Sequence, residues 1–145
     1  MNPILALDFG RVRIGVAVSD ELQLLAHPLE TIAANKQSIA RVAEIVRERN
    51  VDHVVVGIPR QLSGKIGGAA TEASQFAEKL RTILPCAIVA WDERLTTVAA
   101  HRALREAGKK TRATRDYIDQ VAAQMILQGY LDQRQHTARA EEMSR

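Results

Sequence analysis

A few of the acidic residues of this chain stand where apolar strands end or beside the apolar face of a helix. Asp8 closes an apolar run that begins at Ile4, so its carboxylate lies at the rim of a core rather than on a solvated loop. A buried carboxylate is costly unless it is paired, hydrogen-bonded or bound to a metal. The chemistry open to Asp8 therefore depends on whether the chain brings further acids to the same place.

A second pair of acids, Asp92 and Glu93, follows the apolar strand predicted at residues 86–91. Side chains alternate along a strand, so these two carboxylates point to opposite faces and only one of them should meet Asp8. For Asp92 the alternative role is to brace this loop or to cap the helix that follows.

A third acid, Asp119, borders the apolar face of the last predicted helix. Three carboxylates without a His or Cys cluster favour hard cations with oxygen ligands, Mg²⁺ or Mn²⁺. Two such ions can activate a water and stabilise the leaving oxygen of a phosphodiester. The simpler alternative is that each acid separately caps a helix or pairs with an arginine: Arg11, Arg94 or Arg115.

Basic residues surround these acids and suggest contacts with phosphate. Residues 101–115 carry six Lys or Arg against one Glu, which a solvated basic helix end would also explain. The glycine-rich loop 57–68 is not a Walker A sequence, because its Gly-Lys pair is followed by Ile66. Phosphate contacts of this kind are independent of sequence and sensitive to salt. The candidates are Arg11, Arg60, Lys65, Arg94, Lys109, Lys110 and Arg112.

The length and composition of the chain predict one α/β domain without a membrane-spanning segment. The 145 residues suffice for one substantial core, and a net charge of +3 permits a polyanionic partner without requiring one. The single cysteine excludes an internal disulfide and fits a reducing compartment, so we expect a cytoplasmic protein. Residues after about 134 are polar and lack apolar periodicity, which predicts a frayed end.

Hydrophobic periodicity predicts the element order β-β-β-α-β-α-β-α-α. The strands are expected at 3–9, 12–19, 24–32, 51–57 and 86–91, and the helices at 36–49, 69–84, 96–107 and 115–132. A strand meander followed by β-α alternation implies a mixed sheet with helices on its faces. In such sheets a site forms outside the carboxyl ends of the strands, where we expect the first and fourth strands to be neighbours.

Four segments, taken together, resemble the YqgF family of bacterial proteins. They are Asp8-Phe-Gly-Arg-Val-Arg-Ile-Gly-Val-Ala-Val-Ser-Asp20, Val56-Gly-Ile-Pro-Arg60 with Gly64, Asp92-Glu-Arg-Leu-Thr-Thr97 and Ile118-Asp-Gln-Val-Ala-Ala123. The resemblance implies an RNase H-like α/β fold with a mixed five-stranded sheet flanked by helices. It runs from about Ile4 to Leu131, so we expect one nuclease domain at 1–134, and the polar composition that follows predicts a flexible tail at 135–145. The resemblance also implies that Asp8, Glu93 and Asp119 are the catalytic metal ligands, and it selects Glu93 over Asp92. Gln61, Leu62 and Ser63 depart from the family's usual loop residues.

The resemblance further implies a metal-dependent endonuclease that matures the 5′ end of precursor 16S rRNA. The alternatives are a Holliday junction resolvase, which needs a symmetric dimer, and a nucleic-acid-binding factor without catalysis. The Asp-x-Gly turn at Asp8 also resembles the first phosphate loop of actin- and hexokinase-like ATPases, but those close two such domains over the nucleotide. We therefore expect Mg²⁺ or Mn²⁺ as cofactor and precursor rRNA or branched DNA as partner, bound by a monomer or a homodimer.

Overall fold

Five strands form one mixed sheet, and the first strand of the chain lies at its centre. In the computed structural model, which describes residues 1–59, 67–95 and 112–144, the strands are β1 (Ile4–Phe9), β2 (Arg13–Ser19), β3 (Ala26–Ala33), β4 (His53–Ile58) and β5 (Ala87–Asp92). Their order is β3-β2-β1-β4-β5. The pairs β1–β2 and β2–β3 are antiparallel, whereas β1–β4 and β4–β5 are parallel. The predicted fold class and the predicted pairing of the first and fourth strands are both confirmed.

Helices cover both faces of this sheet. Two of them, α1 (Ser38–Arg49) and α2 (Gly68–Ile83), lie on one face, and the long helix α3 (Arg112–Met143) lies on the other. A short 3₁₀ turn at Glu93–Leu95 follows β5. The helix predicted at 96–107 and most of the predicted loop 58–68 lie outside the described residues.

The alternation of β1 decides which helix each of its side chains meets. Leu5 and Leu7 enter the core formed with α1 and α2, whereas Ile4 and Ala6 enter the core formed with α3. By the same period of two, Asp8 belongs to the α3 face and Phe9 to the opposite one. Phe9 accordingly packs against the α1–α2 core.

Local signals in the sequence account for two irregular positions. Helix α1 ends as predicted at Asn50, whose φ of 57° and ψ of 47° are left-handed, a conformation that asparagine tolerates. Pro28 lies on the edge strand β3, opposite a register shift between Val16 and Ala17. A proline cannot donate to a strand ladder, so an edge position with an irregularity is where it is tolerated.

The last helix is longer than the sequence analysis predicted. It continues to Met143, so the prediction that regular structure frays after about residue 134 is wrong for residues 135–143. Residues 135–143 lack an apolar periodicity, but they also lack Gly and Pro. Ala, Arg, Gln and Glu have high intrinsic helix propensity, which is enough to continue the helix. The flexibility of this tail is a separate property and stays a prediction.

Two expectations from composition can be compared with the described residues. Within them, no helix is both long and apolar enough to cross a bilayer. Cys86 is a free thiol packed at the edge of the α1–α2 core, and partial burial raises the pKa of its thiol.

Candidate active site

Asp8 lies between two glycines on the neighbouring strands. It is 4% exposed at the end of β1, and its partner across the antiparallel ladder to β2 is Gly15. On the other side, Leu7 pairs with Val56 of β4, so Gly57 is the next position beside Asp8. Because glycine has no side chain, both flanks of Asp8 are open to groups that approach from the α3 face.

Gly15 lets helix α3 approach the sheet next to Asp8. A Cβ built on Gly15 would overlap the backbone carbonyl oxygen of Asp119, so the helix backbone occupies the space of a side chain. This close contact fixes Asp119 beside the strand partner of Asp8. Asp119 is 4% exposed, which agrees with the predicted position at the border of the apolar helix face.

Gly57 makes the corresponding room for Glu93. A Cβ built on Gly57 would lie 2.6 Å from Oε1 of Glu93 and 2.5 Å from Cδ1 of Ile126. Trp91, two residues before Glu93, packs in the α3 core, so Glu93 continues the same face of β5. Glu93 is 3% exposed, and its carboxylate lies over Gly57, the position beside Asp8.

Asp92 braces the turn after β5, which is one of the two alternative roles that the sequence analysis left open for it. Its Oδ1 accepts a hydrogen bond from the backbone N–H of Arg94 at 3.0 Å. Its Oδ2 accepts a hydrogen bond from Nη2 of Arg94 at 2.6 Å. These bonds raise the pKa of the Arg94 guanidinium. The turn after β5 is thus held by Asp92, while Glu93 faces the other side of the sheet.

Arg13 is a functional candidate that the sequence analysis did not identify. Its Nε donates to Oδ2 of Asp119 at 2.6 Å and lies 3.9 Å from Oδ1 of Asp116. The missed signal is the period of two along β2, which places Arg13, Gly15 and Ala17 on the face that α3 covers. The alternative of separate pairing with arginine is met for Asp92, which binds Arg94, whereas Asp119 binds an arginine that the alternative did not name. Arg11 binds Glu72.

An open crevice of about 640 Å³ lies over this edge of the sheet. Asp8 and Asp119 line it together with Arg13 and Arg115. Glu93 is not among its lining residues and lies deeper, between Gly57 and helix α3. The crevice opens at the carboxyl end of β1, as the sheet topology predicted.

Comparison with known proteins identifies the family. A family model described as RuvX, Holliday junction resolvase, matches residues 2–133. The chain belongs to the RuvX family. The match confirms the family resemblance that the four sequence segments indicated.

The relatives of this RuvX-family chain are similar over nearly its whole length. A protein from Nocardia farcinica (strain IFM 10152), named as a proposed pre-16S rRNA nuclease, shares 51% identity over 94% of this chain and 81% of its own. A protein of the same name from Bacillus cereus (strain B4264) shares 44% identity over 90% of this chain and 98% of its own. Among solved structures, Thermus thermophilus RuvC in complex with a Holliday junction substrate aligns at 19% identity, with a TM-score of 0.49 and coverage of 93% and 96%.

The acidic side chains of the RuvX-family site are of the ligand type that a hard divalent cation requires. Their positions, however, do not form a complete metal-binding site within the described residues. Buried carboxylates are the oxygen ligands that Mg²⁺ and Mn²⁺ prefer, and three of them are present here. Across the part of the chain that the structure describes, however, no three His, Cys, Asp or Glu side chains are grouped so that they hold a metal ion. Oδ2 of Asp119 accepts a hydrogen bond from the Arg13 guanidinium.

The basic residues predicted to bind nucleic acid divide into two groups. Arg11 is exposed and holds both carboxylate oxygens of Glu72, at 3.0 and 2.9 Å, while Arg94 is held by Asp92. Arg60, Lys65, Lys109 and Lys110, together with the side chain of Arg112, lie outside the described residues. Their contacts with nucleic acid stay a prediction.

Proposed function

We propose that this RuvX-family protein is a metal-dependent endonuclease that hydrolyses phosphodiester bonds in nucleic acid. The observation that carries the proposal is the position of Asp8 between Gly15 and Gly57, with Asp119 and Glu93 brought in over those two glycines. Separate structural roles for three acids would not require two glycines beside one of them. A common site does require both glycines. The backbone of Asp119 occupies the space at Gly15, and the carboxylate of Glu93 lies against Gly57.

Asp8, Glu93 and Asp119 would together hold Mg²⁺ or Mn²⁺, with Asp8 as the central ligand. When bound, the ions supply an activated water and stabilise the leaving oxygen of the phosphodiester. The chain itself orients the acids: helix α3 shields Glu93 from water, and Arg13 holds the carboxylate of Asp119. Arg11 and Arg115 line the crevice, where their charges attract a phosphate backbone.

Precursor 16S rRNA is the substrate that the curated relatives support best, and we propose maturation of its 5′ end. This substrate is also the basis for proposing a cytoplasmic location. The description of the family model supports a second candidate, resolution of Holliday junctions. A resolvase cuts two strands symmetrically, so this candidate requires a stable two-fold dimer, which a mass measurement in solution detects.

The test is cleavage of single-stranded RNA, precursor 16S rRNA and branched DNA in Mg²⁺ or Mn²⁺. Loss of a residue that only supports a metal ligand costs about 10- to 100-fold, so Asp8→Asn, Glu93→Gln and Asp119→Asn should each reduce cleavage by about 100-fold or more. Circular dichroism of each variant checks that the fold is retained. Absence of metal-dependent cleavage of every substrate, or unchanged cleavage by Asp8→Asn, would contradict the proposal.

Asp92→Asn is the matched control. It changes the neighbouring acid by the same amide substitution, and it weakens the bonds that hold Arg94 on the opposite face of β5. We expect it to retain cleavage within a few-fold of the unaltered protein. A loss as large as that of Glu93→Gln would mean that the two faces of β5 are assigned wrongly.

A further inference from the structure

A second groove adjoins the crevice on the other side of the end of β1. It has a volume of about 450 Å³ and shares Phe9, Arg11 and Glu72 with the crevice that Asp8 lines. Asp8 and Phe9 are consecutive residues whose side chains lie on opposite faces of the sheet. A polymer that crosses the end of β1 would therefore leave the acids and enter this groove directly.

The floor of this groove is aromatic and apolar. The rings of Phe9 and Phe76 stack with centroids 4.8 Å apart and an angle of 29° between their planes. These are the two phenylalanines of the chain, and both line the groove together with Ile39. Phe76 is buried, whereas Phe9 is only partly buried, so Phe9 is the phenylalanine that remains accessible from the groove.

The rim of the groove is basic. Lys36 and Lys79 lie at its edge beside Arg11, and Glu72 is the one acid among the described residues that line it. Glu72 is already held by Arg11. The first turn of α1, whose residues Ser38 and Ile39 line the groove, carries no acidic residue, so its positive end adds to the field of the lysines.

We propose that this groove binds the nucleotide next to the scissile phosphate of a single-stranded nucleic acid. Its base stacks on Phe9, and the phosphates that follow lie between Lys36 and Lys79. Aromatic stacking with a basic rim is the usual means of binding single strands, and a duplex keeps its bases away from such a floor. The inference rests on the proposed function, because the acids define which phosphate is cleaved.

The first test measures binding rather than cleavage. A fluorescein-labelled single-stranded RNA is titrated with the full chain in EDTA, and its anisotropy is followed over a range of salt concentrations. Lys36→Glu/Lys79→Glu should weaken binding by about tenfold or more. It should also lower the slope of log affinity against log salt by about 1.4, because each lost contact with a single strand removes about 0.7.

Arg49→Glu/Arg139→Glu is the control with the same change in net charge. Both arginines are exposed and away from the groove. Because this control measures the loss due to overall charge alone, it should weaken binding much less. Equal losses in the two double variants would overturn the proposal, as would tighter binding of a duplex than of the single strand.

The second test locates the base. Phe9→Leu keeps an apolar floor but removes the ring, so it should weaken single-strand binding by about tenfold with little change in melting temperature. An RNA that carries 5-iodouracil at the position next to the cleaved bond should crosslink to Phe9 or Phe76, as read by mass spectrometry. Crosslinks confined to other segments would overturn the assignment.

These measurements separate the groove from the nuclease proposal. Cleavage that survives Lys36→Glu/Lys79→Glu, together with unchanged affinity, contradicts the groove and leaves the proposed nuclease standing. Binding and crosslinking in the groove without metal-dependent cleavage of any substrate contradicts the nuclease and leaves a single-strand binding site.

Discussion

Arg13 donates its Nε–H to Oδ2 of Asp119 across 2.6 Å, linking the first residue of β2 to helix α3. The Asp119 side chain is 6% exposed and the Arg13 side chain is 30% exposed. The contact therefore positions a buried carboxylate at the mouth of the crevice. Arg13 also keeps that carboxylate in a single orientation next to Gly15.

We expect Arg13→Ala to reduce cleavage by about tenfold or more and to destabilise the fold by about 1–3 kcal/mol, the usual cost of losing a hydrogen bond to a charged group. Arg13→Lys should recover only part of both losses, because a lysine lacks the planar fork of arginine. Calorimetric titration measures the affinity for Mn²⁺ and so tests whether Asp119 still binds the ion in each variant. Additive effects of Arg13→Ala and Asp119→Asn in a double-mutant cycle would contradict the positioning role.

The two glycines beside Asp8 should respond differently to alanine. Gly15→Ala places a methyl group against the backbone of Asp119, which cannot move without helix α3, so we expect a loss of stability of about 3 kcal/mol or more. The nearest atoms to the methyl group of Gly57→Ala belong to the side chains of Glu93 and Ile126, which are easier to displace than a helix backbone. It should cost less stability but should displace Glu93 and reduce cleavage at least tenfold. Urea unfolding and cleavage rates measure the two effects.

Gly68→Ala is the control for this pair, because the nearest atom to its Cβ among the described residues would be Nη2 of Arg11, at an ordinary 3.5 Å. It should leave both stability and cleavage close to those of the unaltered protein. Normal cleavage by Gly57→Ala would show that Glu93 does not need its position over Gly57.

A hydrogen-bonded pair stabilises the end of the sheet remote from the crevice. Nε2 of His53 lies 2.8 Å from the Tyr130 hydroxyl, and the ring of Tyr130 makes an edge contact with Trp91. Tyr130→Phe removes the hydroxyl and keeps the ring, so we expect a loss of about 1 kcal/mol of unfolding free energy. Chemical unfolding measures this loss, and cleavage should be unchanged. Reduced cleavage in a variant with normal stability would contradict the assignment of this pair to structure alone.

The last turns of α3 should be dispensable. Residues 136–144 are exposed, and the last residue of this helix in the buried core is Leu131. A chain that ends at Gln135 should therefore keep its melting temperature within a few degrees and retain cleavage, while it loses helical signal in circular dichroism. Unfolding of this shortened chain would show that the domain extends beyond residue 134.

Asp20 should make the β2–β3 hairpin sensitive to acid. Its Oδ1 accepts the backbone N–H groups of Leu25 and Leu24, which lower the pKa of its carboxyl. A lowered pKa stabilises the fold above the ordinary aspartate value of about 3.9, and this contribution is lost as the pH falls through the lowered value. Asp20→Ala should reduce the melting temperature at neutral pH, and the difference should shrink in acid. A difference that is independent of pH would contradict this assignment.

Much of the fold, and which acids lie near Asp8, could be predicted from the sequence. Apolar runs of the right length give the five strands, and a parallel partner for β1 follows from the β-α alternation. The alternation of β5 separates Asp92 from Glu93 in principle, but it does not say which of them faces α3. The family resemblance selected Glu93, and the structure places that residue in the buried position.

Other features depended on contacts between distant residues. The sequence alone placed Asp8 at the rim of a core, because its apolar neighbours and the following Gly10 are local information. Only the tertiary structure showed why Gly15 and Gly57 lie beside Asp8. It also showed that Arg13 binds Asp119, which is 106 residues away in the sequence. Local periodicity specifies the face of an element, but the groups that meet across that face are decided by strand order and helix packing.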